Sequence, residues 1–325
     1  DHYKHWHDFA EKNLFGIEIN DQIARTAKMN MIIHDDGHTN VITSDGLLNE
    51  IEISKLTENK GFKYNHFDFI ITNPPFGSNV KKTEKSYLKN YFFGKKQPDW
   101  LDNKGSTRIT SRNNQSTEVL FIEQCYNFLA PGGYMAMVIP DGILTNSSMQ
   151  YVRDAIEEWY RIVAVVSMPQ TAFSATGAGV KSSVLFLKKH QLSTTEKIQS
   201  IKLRIQTKLK SEYRFYEKIS QWELEKKKEL KEMNGLHFTM SLAEFKKTEK
   251  YKEWRREINA KYSDKINLFK EEIQEAFLTQ SRDELPDYSI FMAIAEDIGY
   301  DAKGKATEIN ELELIIEQQN EELYL

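Results

Sequence analysis

The stretch FDFIITNPPFGSN, residues 67–79, places an asparagine amide directly after a short run of strand-forming residues. Residues 67–71 have the character of a fully covered parallel strand. The two prolines that follow Asn73 prevent further ladder pairing, and they bias Asn73 and Pro74 towards extended geometry. A rigid bend therefore follows the carboxyl end of a strand, which is where open α/β sheets bind ligands.

An asparagine, two prolines and an aromatic ring together suit the binding of a planar exocyclic amine. The side-chain carbonyl of Asn73 and the main-chain carbonyl of Pro74 can each accept one N–H of an –NH₂ group. Drawing both hydrogens out of the ring plane frees the nitrogen lone pair for attack on an electrophilic methyl group. Phe76 offers a face on which a base can stack, and a target inside duplex DNA must first be flipped out.

The motif alone leaves the identity of the amine open. An adenine amine in DNA, a glutamine side-chain amide in a protein and a guanine amine in RNA all present two N–H groups to the same pair of acceptors. A structural role, in which the prolines simply end a strand, is a further alternative.

The surrounding sequence alternates between strand and helix patterns from residue 14 to residue 189, which is typical of a doubly wound parallel α/β sheet. The predicted strands are 14–19, 39–46, 67–72, 134–140, 162–169 and 182–189, and the predicted helices are 21–33, 118–129 and 149–159. Residues 78–117 are polar and predict a long loop. Its aromatic residues either stack on unpaired bases or anchor the loop; they are Tyr87, Tyr91, Phe92, Phe93 and Trp100.

After residue 190, apolar residues recur at spacings of three and four, with an interruption at Asn234-Gly235. This pattern predicts two long helices that fold back as an antiparallel hairpin. We therefore divide the chain into a partial α/β domain (1–190), a helical hairpin (191–282) and an acidic C-terminal segment (283–325).

The composition of the 325 residues is that of a globular protein, with 40% hydrophobic and 28% charged residues. The single cysteine, Cys125, excludes a disulfide framework and a cysteine metal centre, and we predict no metal site. There is neither a signal-peptide pattern nor an apolar run approaching about 18 residues, so we expect a cytoplasmic protein with no membrane partner.

Charge is distributed unevenly along the chain. Residues 191–270 contain 20 Lys and Arg against 12 Asp and Glu, whereas residues 271–325 contain 3 against 15. The basic block favours nucleic acid and the acidic end repels it, although solvated helix faces would give the same pattern.

Five stretches carry a resemblance to a known family: LFGIEINDQIARTAKMNMIIHDDGHTNV, FDFIITNPPFGS, EVLFIEQCYNFLAPGGYMAMVIPDGILTN, VVSMPQTAFSATGAGVKSSVLFLKK and SIFMAIAEDIGYDAKGKAT. They resemble the methylation (M) subunit of type I restriction–modification systems, an adenine-specific DNA methyltransferase family with an Asn-Pro-Pro-Phe signature. It implies a Rossmann-like sheet, S-adenosylmethionine as cofactor and DNA as substrate. It also implies three protein partners: a specificity subunit, a second methylation subunit and a restriction subunit.

The resemblance assigns roles to individual residues. Glu18 corresponds to the acid that binds the cofactor ribose, at the tip of a strand as in dinucleotide-binding folds. Asp45 corresponds to the residue that faces the cofactor's adenine amine. Asn73, Pro74 and Phe76 form the target-amine site. Phe173 matches a position near the flipped base, although a lone aromatic residue is often part of a core.

The family's glycine-rich loop, which cradles the methionine half of the cofactor, should lie on a strand well before Glu18. The sequence contains no such loop, so we expect a Rossmann-like sheet that lacks its first strand, in a chain truncated at its N-terminus. Two kinds of function follow. The chain is a DNA adenine methyltransferase subunit, incomplete as it stands, or it is a non-catalytic interaction module whose helical hairpin binds a specificity subunit.

Overall fold

The computed structural model describes residues 2–34, 40–81, 83, 86–174, 179–235 and 241–323. The chain divides into two compact units. The first, which we call the sheet unit, comprises Asp1–Lys96, Thr110–Thr195 and Ser289–Leu325. The second, the helical unit, comprises Gln97–Ile109 and Glu196–Tyr288. None of the helices formed by the described residues is long and apolar enough to cross a membrane.

A five-stranded sheet forms the centre of the sheet unit, and the predicted α/β class is confirmed. Its strands are β3 (Phe67–Thr72), β8 (Leu129–Pro140), β9 (Tyr160–Ser167), β10 (Ser182–Lys189) and β11 (Phe291–Ile294). They lie in the order β11-β9-β10-β8-β3. Strand β3 is parallel to β8 and β11 is parallel to β9, but β10 is antiparallel to both of its neighbours. The sheet is therefore mixed, and the prediction of a parallel sheet is wrong for β10.

The remaining elements of the sheet unit are short or lie outside this sheet. The helices are α1 (His2–Asn13), α2 (Asp21–Ile33), α3 (Glu50–Thr57), α4 (Thr117–Phe128), α5 (Gly142–Thr145), α6 (Gln150–Trp159) and α11 (Glu311–Leu323). The strands are β1 (Gly16–Glu18), β2 (Val41–Thr43), β4 (Asn79–Lys81), β5 (Lys95–Lys96), β6 (Thr110–Ser111), β7 (Asn114–Ser116), β12 (Ile298–Tyr300) and β13 (Ala306–Asn310). Two 3₁₀ turns, Ser86–Asn90 and Ser147–Met149, complete the unit.

One face of the sheet is covered by α4 and α6, whose apolar sides pack against β8 and β10. The buried residues of this core include Val119, Leu120, Ile122, Met135, Met137, Val152, Ile156, Leu185 and Leu187. Burying each such side chain contributes roughly 1.5–3 kcal/mol. This core fixes the position of β3, because β3 pairs directly with β8.

Strands β1 and β2 form a separate, parallel two-stranded sheet. No ladder joins them to β3 among the described residues, so β3 ends the five-stranded sheet. The two sheets are nevertheless connected by packing, since Ile17 of β1 and Ile70 of β3 contact the same buried cluster around Ile53 and Phe62. Among the described residues, β1 and β3 are therefore connected by side-chain packing and not by a backbone ladder.

Strand β3, the last strand of the sheet, has two exposed apolar side chains on one face. Phe69 is 73% exposed and Ile71 is 87% exposed. The ring of Phe69 stacks on Tyr134 of β8, with 5.9 Å between centroids, and Tyr134 is itself exposed. An end strand with an unpaired backbone edge and exposed apolar side chains is a template for pairing with another chain.

The helical unit consists mainly of α7 (Leu192–Glu212), α8 (Phe215–Asn234) and α10 (Glu249–Glu284), with a short α9 (Leu242–Phe245). We predicted two long helices, but the first is divided, because Arg214 adopts a left-handed backbone with φ of 51°. The antiparallel hairpin is otherwise present. Arg204 of α7 pairs with Glu284, and Lys261 of α10 bonds Glu229 of α8 at 3.0 Å, so α7 and α8 run in succession along α10.

A segment of the predicted long loop belongs to the helical unit. Trp100 Nε1–H donates to Gln274 Oε1 of α10 at 3.1 Å, and the Trp100 ring lies 5.3 Å from that of Phe277. Leu101 is buried in the same cluster as Ile205, Phe215, Ile219, Phe269 and Ile273. The structural division therefore differs from the three predicted ranges at Gln97–Ile109, and again at Ser289–Leu325, where β11 joins the central sheet.

We expect Ile71→Lys to reduce self-association of the chain 1–325. A lysine on an edge strand opposes edge-to-edge pairing, and this exposed position should tolerate it within about 0.5 kcal/mol. Sedimentation velocity over a concentration series measures the effect. Leu203→Lys, which adds the same charge at an exposed position of α7, is the control. Equal self-association of Ile71→Lys and the unmodified chain would contradict the role of the edge.

Trp100→Ala should destabilise the helical unit by at most about 3 kcal/mol, since the ring is partly buried against α10. Trp100→Phe should cost only about 1 kcal/mol, because the ring contacts are largely kept and one hydrogen bond is lost. Hydrogen exchange at the amides of α7 and α10 gives the two values. If exchange is unaltered in Trp100→Ala, then segment 97–109 is not part of the helical unit's core.

Candidate functional site

The Asn-Pro-Pro-Phe bend begins directly after β3, as predicted. Asn73 is exposed, Pro74 is buried and Phe76 is half-buried. Gly77 has a φ of 72°, in a left-handed region that glycine adopts without strain, and there the chain turns back from the bend. The bend therefore presents the Asn73 amide to solvent, while Pro74 is fixed by burial.

The first residue of α4, Thr117, is hydrogen-bonded to Ser78, which follows the bend. Thr117 N–H donates to the main-chain oxygen of Ser78 at 3.0 Å, and the two hydroxyl oxygens lie 2.6 Å apart. The short ladder between β4 and β7 continues this attachment, with Asn79 opposite Ser116. These bonds restrict the residues that follow Gly77, and so they position the bend itself.

A buried carboxyl group, Glu118, lies beside the bend. Burial raises the pKa of Glu118, and this increase is opposed by the Glu118 amide, the Ser116 hydroxyl and the Gly77 amide. Its Oε2 atom has no hydrogen-bond partner among the described residues. Sequence analysis did not identify this residue, because it reads as an ordinary acid in the first turn of a helix.

Phe173 is brought to the bend by the turn after β9. Its ring lies edge-on to that of Phe76, with 6.0 Å between the centroids and an angle of 88°. Phe173 also packs at the margin of the cluster that contains Met168 and Ala172. Phe173 therefore packs against a core cluster and also contacts Phe76, and its role near a flipped base stays a prediction.

The two candidate cofactor carboxylates lie at the same end of β1 and β2. Glu18 is the last residue of β1, and its main-chain oxygen accepts the Ser44 N–H at 3.0 Å. Its side-chain Oε1 accepts the Asn20 N–H at 2.7 Å. Asp45 follows Ser44 directly, so the two acids occupy neighbouring strand ends.

Asp45 is held by two hydrogen bonds. Its Oδ1 accepts the Leu47 N–H at 3.0 Å, and its Oδ2 accepts the Tyr87 hydroxyl at 3.0 Å. Burial, followed by the charge of Asp45, raises the pKa of Tyr87 above its ordinary value, so the tyrosine remains a donor. The carboxylate is thus oriented by a residue of the segment that follows the bend.

Gln124 of α4 connects these parts, and sequence analysis missed it. Its Nε2 donates to the main-chain oxygens of Gly46 and Leu48 at 2.9 and 2.7 Å, and its Oε1 accepts the Tyr91 hydroxyl at 2.9 Å. The signal was available, since two consecutive polar residues, Glu123 and Gln124, directly follow the apolar run 119–122 of this helix. Buried polar groups of this kind almost always have specific partners.

Glu123 attaches the loop residues Phe92 and Phe93 to α4. Its carboxylate oxygens accept the N–H groups of Phe92 and Phe93 at 2.7 and 2.9 Å. Burial raises the pKa of Glu123, and the two amides and Lys95 oppose the increase. Tyr87, Tyr91 and Phe93 are buried, so these loop aromatics anchor the loop to the sheet unit; Phe92 is partly exposed.

We predicted no metal site. Among the described residues, His7, Asp8 and Glu11 of α1 place one potential ligand atom each within 4.8 Å of one another. Asp8 is half-buried and Glu11 is exposed, and exposed acidic groups are common without a metal ion.

We expect Gln124→Leu to destabilise the sheet unit by about 1–3 kcal/mol, because it leaves the part-buried carbonyls of Gly46 and Leu48 without this donor. Gln221→Leu, an exposed substitution in α8 that also removes a side-chain hydrogen bond, should change stability by less than about 0.5 kcal/mol. Urea unfolding measures both. Equal effects of the two substitutions would show that Gln124 does not hold the 45–48 turn.

The structure thus combines a mixed α/β sheet with an Asn-Pro-Pro-Phe bend at one strand end and carboxylates at two others. Residues 1–265 match the family model described as N-6 DNA Methylase. The match covers most of the chain, and the chain belongs to the N-6 DNA methylase family.

Two curated relatives confirm the resemblance to type I methylation subunits. The chain is 27% identical over 180 residues to the type I restriction enzyme MpnII methylase subunit of Mycoplasma pneumoniae. The aligned region covers 54% of this chain and 30% of the relative. It is 25% identical over 186 residues to the EcoEI methylase subunit of Escherichia coli, which covers 57% of this chain and 32% of the relative. The chain therefore spans about a third of the length of these relatives.

Among solved structures, the M protein of the type I restriction enzyme EcoKI matches with a TM-score of 0.39 and 22% identity. The match covers 57% of this chain and 33% of that chain.

Proposed function

We propose that this chain is the methyl-transferring part of a type I restriction–modification methylation subunit. The reaction moves a methyl group from S-adenosylmethionine to the exocyclic amine of an adenine flipped out of DNA. The observation that carries the proposal is the Asn-Pro-Pro-Phe bend at the end of β3, with Phe76 edge-on to Phe173.

In this proposal, the bend binds and orients the target amine. The Asn73 side-chain carbonyl and the Pro74 main-chain carbonyl each accept one N–H, which removes the nitrogen lone pair from conjugation with the ring. Burial of Pro74 supports this role, because a fixed backbone keeps the second acceptor in place. Phe76 and Phe173 supply apolar surface for the flipped base, whose release from the stack costs a few kcal/mol.

The residues present fit the adenosine half of S-adenosylmethionine. Glu18 and Asp45 are acceptors at neighbouring strand ends, suited to ribose hydroxyls and to an adenine amine respectively. The hydrogen bonds from Asn20 to Glu18 and from Tyr87 to Asp45 hold both carboxylates in place. The cofactor, when bound, supplies an electrophilic methyl group.

The proposed partners are DNA, a specificity subunit that reads its sequence, a second methylation subunit and a restriction subunit. The helical unit is the proposed surface for the specificity subunit, because it is an independent compact unit with a net-basic sequence. A cytoplasmic location follows from the proposed DNA substrate.

Two alternatives remain as outcomes of the tests below. The chain could be an interaction module without catalysis, and one observation favours it: no described residue has an evident role in holding the methionine half of the cofactor. The same bend could also serve a protein glutamine or an RNA amine. Analysis of methylated products on DNA, RNA and protein substrates distinguishes these chemistries.

We predict that Asn73→Ala lowers methyl transfer to DNA by about 10²–10³ while leaving S-adenosylmethionine binding intact, because one preorganised acceptor at the reacting nitrogen is lost. The assay uses the protein as purified from its source, with the subunits that accompany it. Asn79→Ala, an exposed substitution in β4 outside the bend, serves as the control. Near-normal turnover of Asn73→Ala would refute the proposed mechanism.

A further inference from the structure

The C-terminal segment forms a rigid hairpin from β12 and β13, with Tyr300 paired to Ala306. The turn between them is held by Asp301, whose Oδ1 accepts the N–H groups of Lys303 and Lys305 at 2.8 and 2.9 Å. The Asp301 N–H donates to the Lys305 main-chain oxygen at 2.9 Å, and Gly304 has a φ of 77°. The backbone of the turn is therefore preorganised.

This hairpin lies against the segment that carries Phe173. The Tyr300 hydroxyl donates to the main-chain oxygen of Ala172 at 3.3 Å. Ile298 is buried in one cluster with Met168 and Ala172, and Phe173 packs against that cluster. The turn begins one residue after Tyr300, and three residues of chain span at most about 11 Å, so Lys303 lies within that distance of the Tyr300 backbone that is attached beside Phe173.

The tip of the hairpin carries two lysines, whereas the rest of the C-terminal segment is acidic. Residues 283–325 contain 12 Asp and Glu, and their only basic residues are Lys303 and Lys305. Both lysines are exposed, and neither forms an ion pair within the part of the chain that the structure describes.

Several acids of this segment serve the hairpin itself. Besides Asp301, Asp297 accepts from Gly299 N–H and Thr307 Oγ1 at 3.0 and 2.6 Å. Glu311 accepts the N–H groups of Glu296 and Asp297. The acids thus stabilise the hairpin, and the two lysines are left to face outwards from its tip.

We propose that the tip of the β12–β13 hairpin binds the phosphodiester backbone of DNA beside the nucleotide that enters the Phe76–Phe173 site, an inference that rests on the proposed function. Lysine ammonium groups bind phosphate as point charges without reading sequence. A rigid turn loses little entropy on binding, and its attachment to Ala172 places the phosphate contact at a constant distance from the base site.

The test compares Lys303→Gln/Lys305→Gln with the unmodified protein, purified from its source with its accompanying subunits. Fluorescence anisotropy measures binding to duplex DNA with a mismatched adenine between about 50 and 200 mM salt. We expect the slope of log K against log salt to decrease in magnitude by about 1–2, and Lys303→Arg/Lys305→Arg to restore it. The control Lys60→Gln/Lys63→Gln removes the same charge from exposed positions elsewhere in the sheet unit.

Each outcome bears on the proposal. DNA binding with an unchanged slope in Lys303→Gln/Lys305→Gln would overturn the hairpin contact and leave the proposed function standing. An equal loss in the Lys60→Gln/Lys63→Gln control would reduce the effect to general electrostatics and would also overturn it. Absence of DNA binding by the unmodified protein contradicts the proposed function, and the hairpin contact with it.

Discussion

The buried polar face of α4 is the constraint on which the rest of the sheet unit depends. Among the described residues, β1 and β2 share no ladder with β3. Hydrogen bonding within a sheet therefore does not align the strand ends of Glu18 and Asp45 with the bend at Asn73. Helix α4 supplies the alignment: Thr117 binds the chain after the bend, and Gln124 binds the turn that contains Asp45. Because these groups are buried, breaking any one of the bonds leaves an unsatisfied partner, which makes the arrangement specific.

The interrupted sheet has consequences for both stability and function. Packing around Ile53 and Phe62 keeps β1 near β3, yet packing is less directional than a ladder and leaves the β3 edge open. The same interruption lies beside the strand ends that carry Glu18 and Asn73. A strand that paired with the edge of β3 would therefore also affect the distance between these two strand ends.

The segment after the bend links the two units covalently. Its first part is tied to the sheet unit through Tyr87, Tyr91 and the amides that Glu123 accepts. Its second part, residues 97–109, is built into the helical unit through Trp100 and Leu101. Residues 86–109 therefore contribute side chains to the cores of both units.

The sequence by itself determined the α/β alternation, the bend after β3, the antiparallel helical pair and the family, since these follow from local periodicity and from residue types at short spacing. The bounds of α2, α4, α6 and β10 lie close to those predicted, whereas β8 begins at Leu129, five residues before the predicted strand 134–140. The candidate site residues were predicted separately, each from the sequence motif in which it lies. Their roles in binding remain predictions.

Only the tertiary structure decided which of these pieces meet. Phe173 contacts Phe76, Tyr87 orients Asp45, and β11 joins a sheet more than a hundred residues earlier in the chain. Arg214 breaks a helix whose apolar spacing continues across it. Such contacts depend on burial and on hydrogen-bond partners far apart in sequence, which periodicity does not encode, and so Gln124 read as one polar residue in a helix until its partners were known.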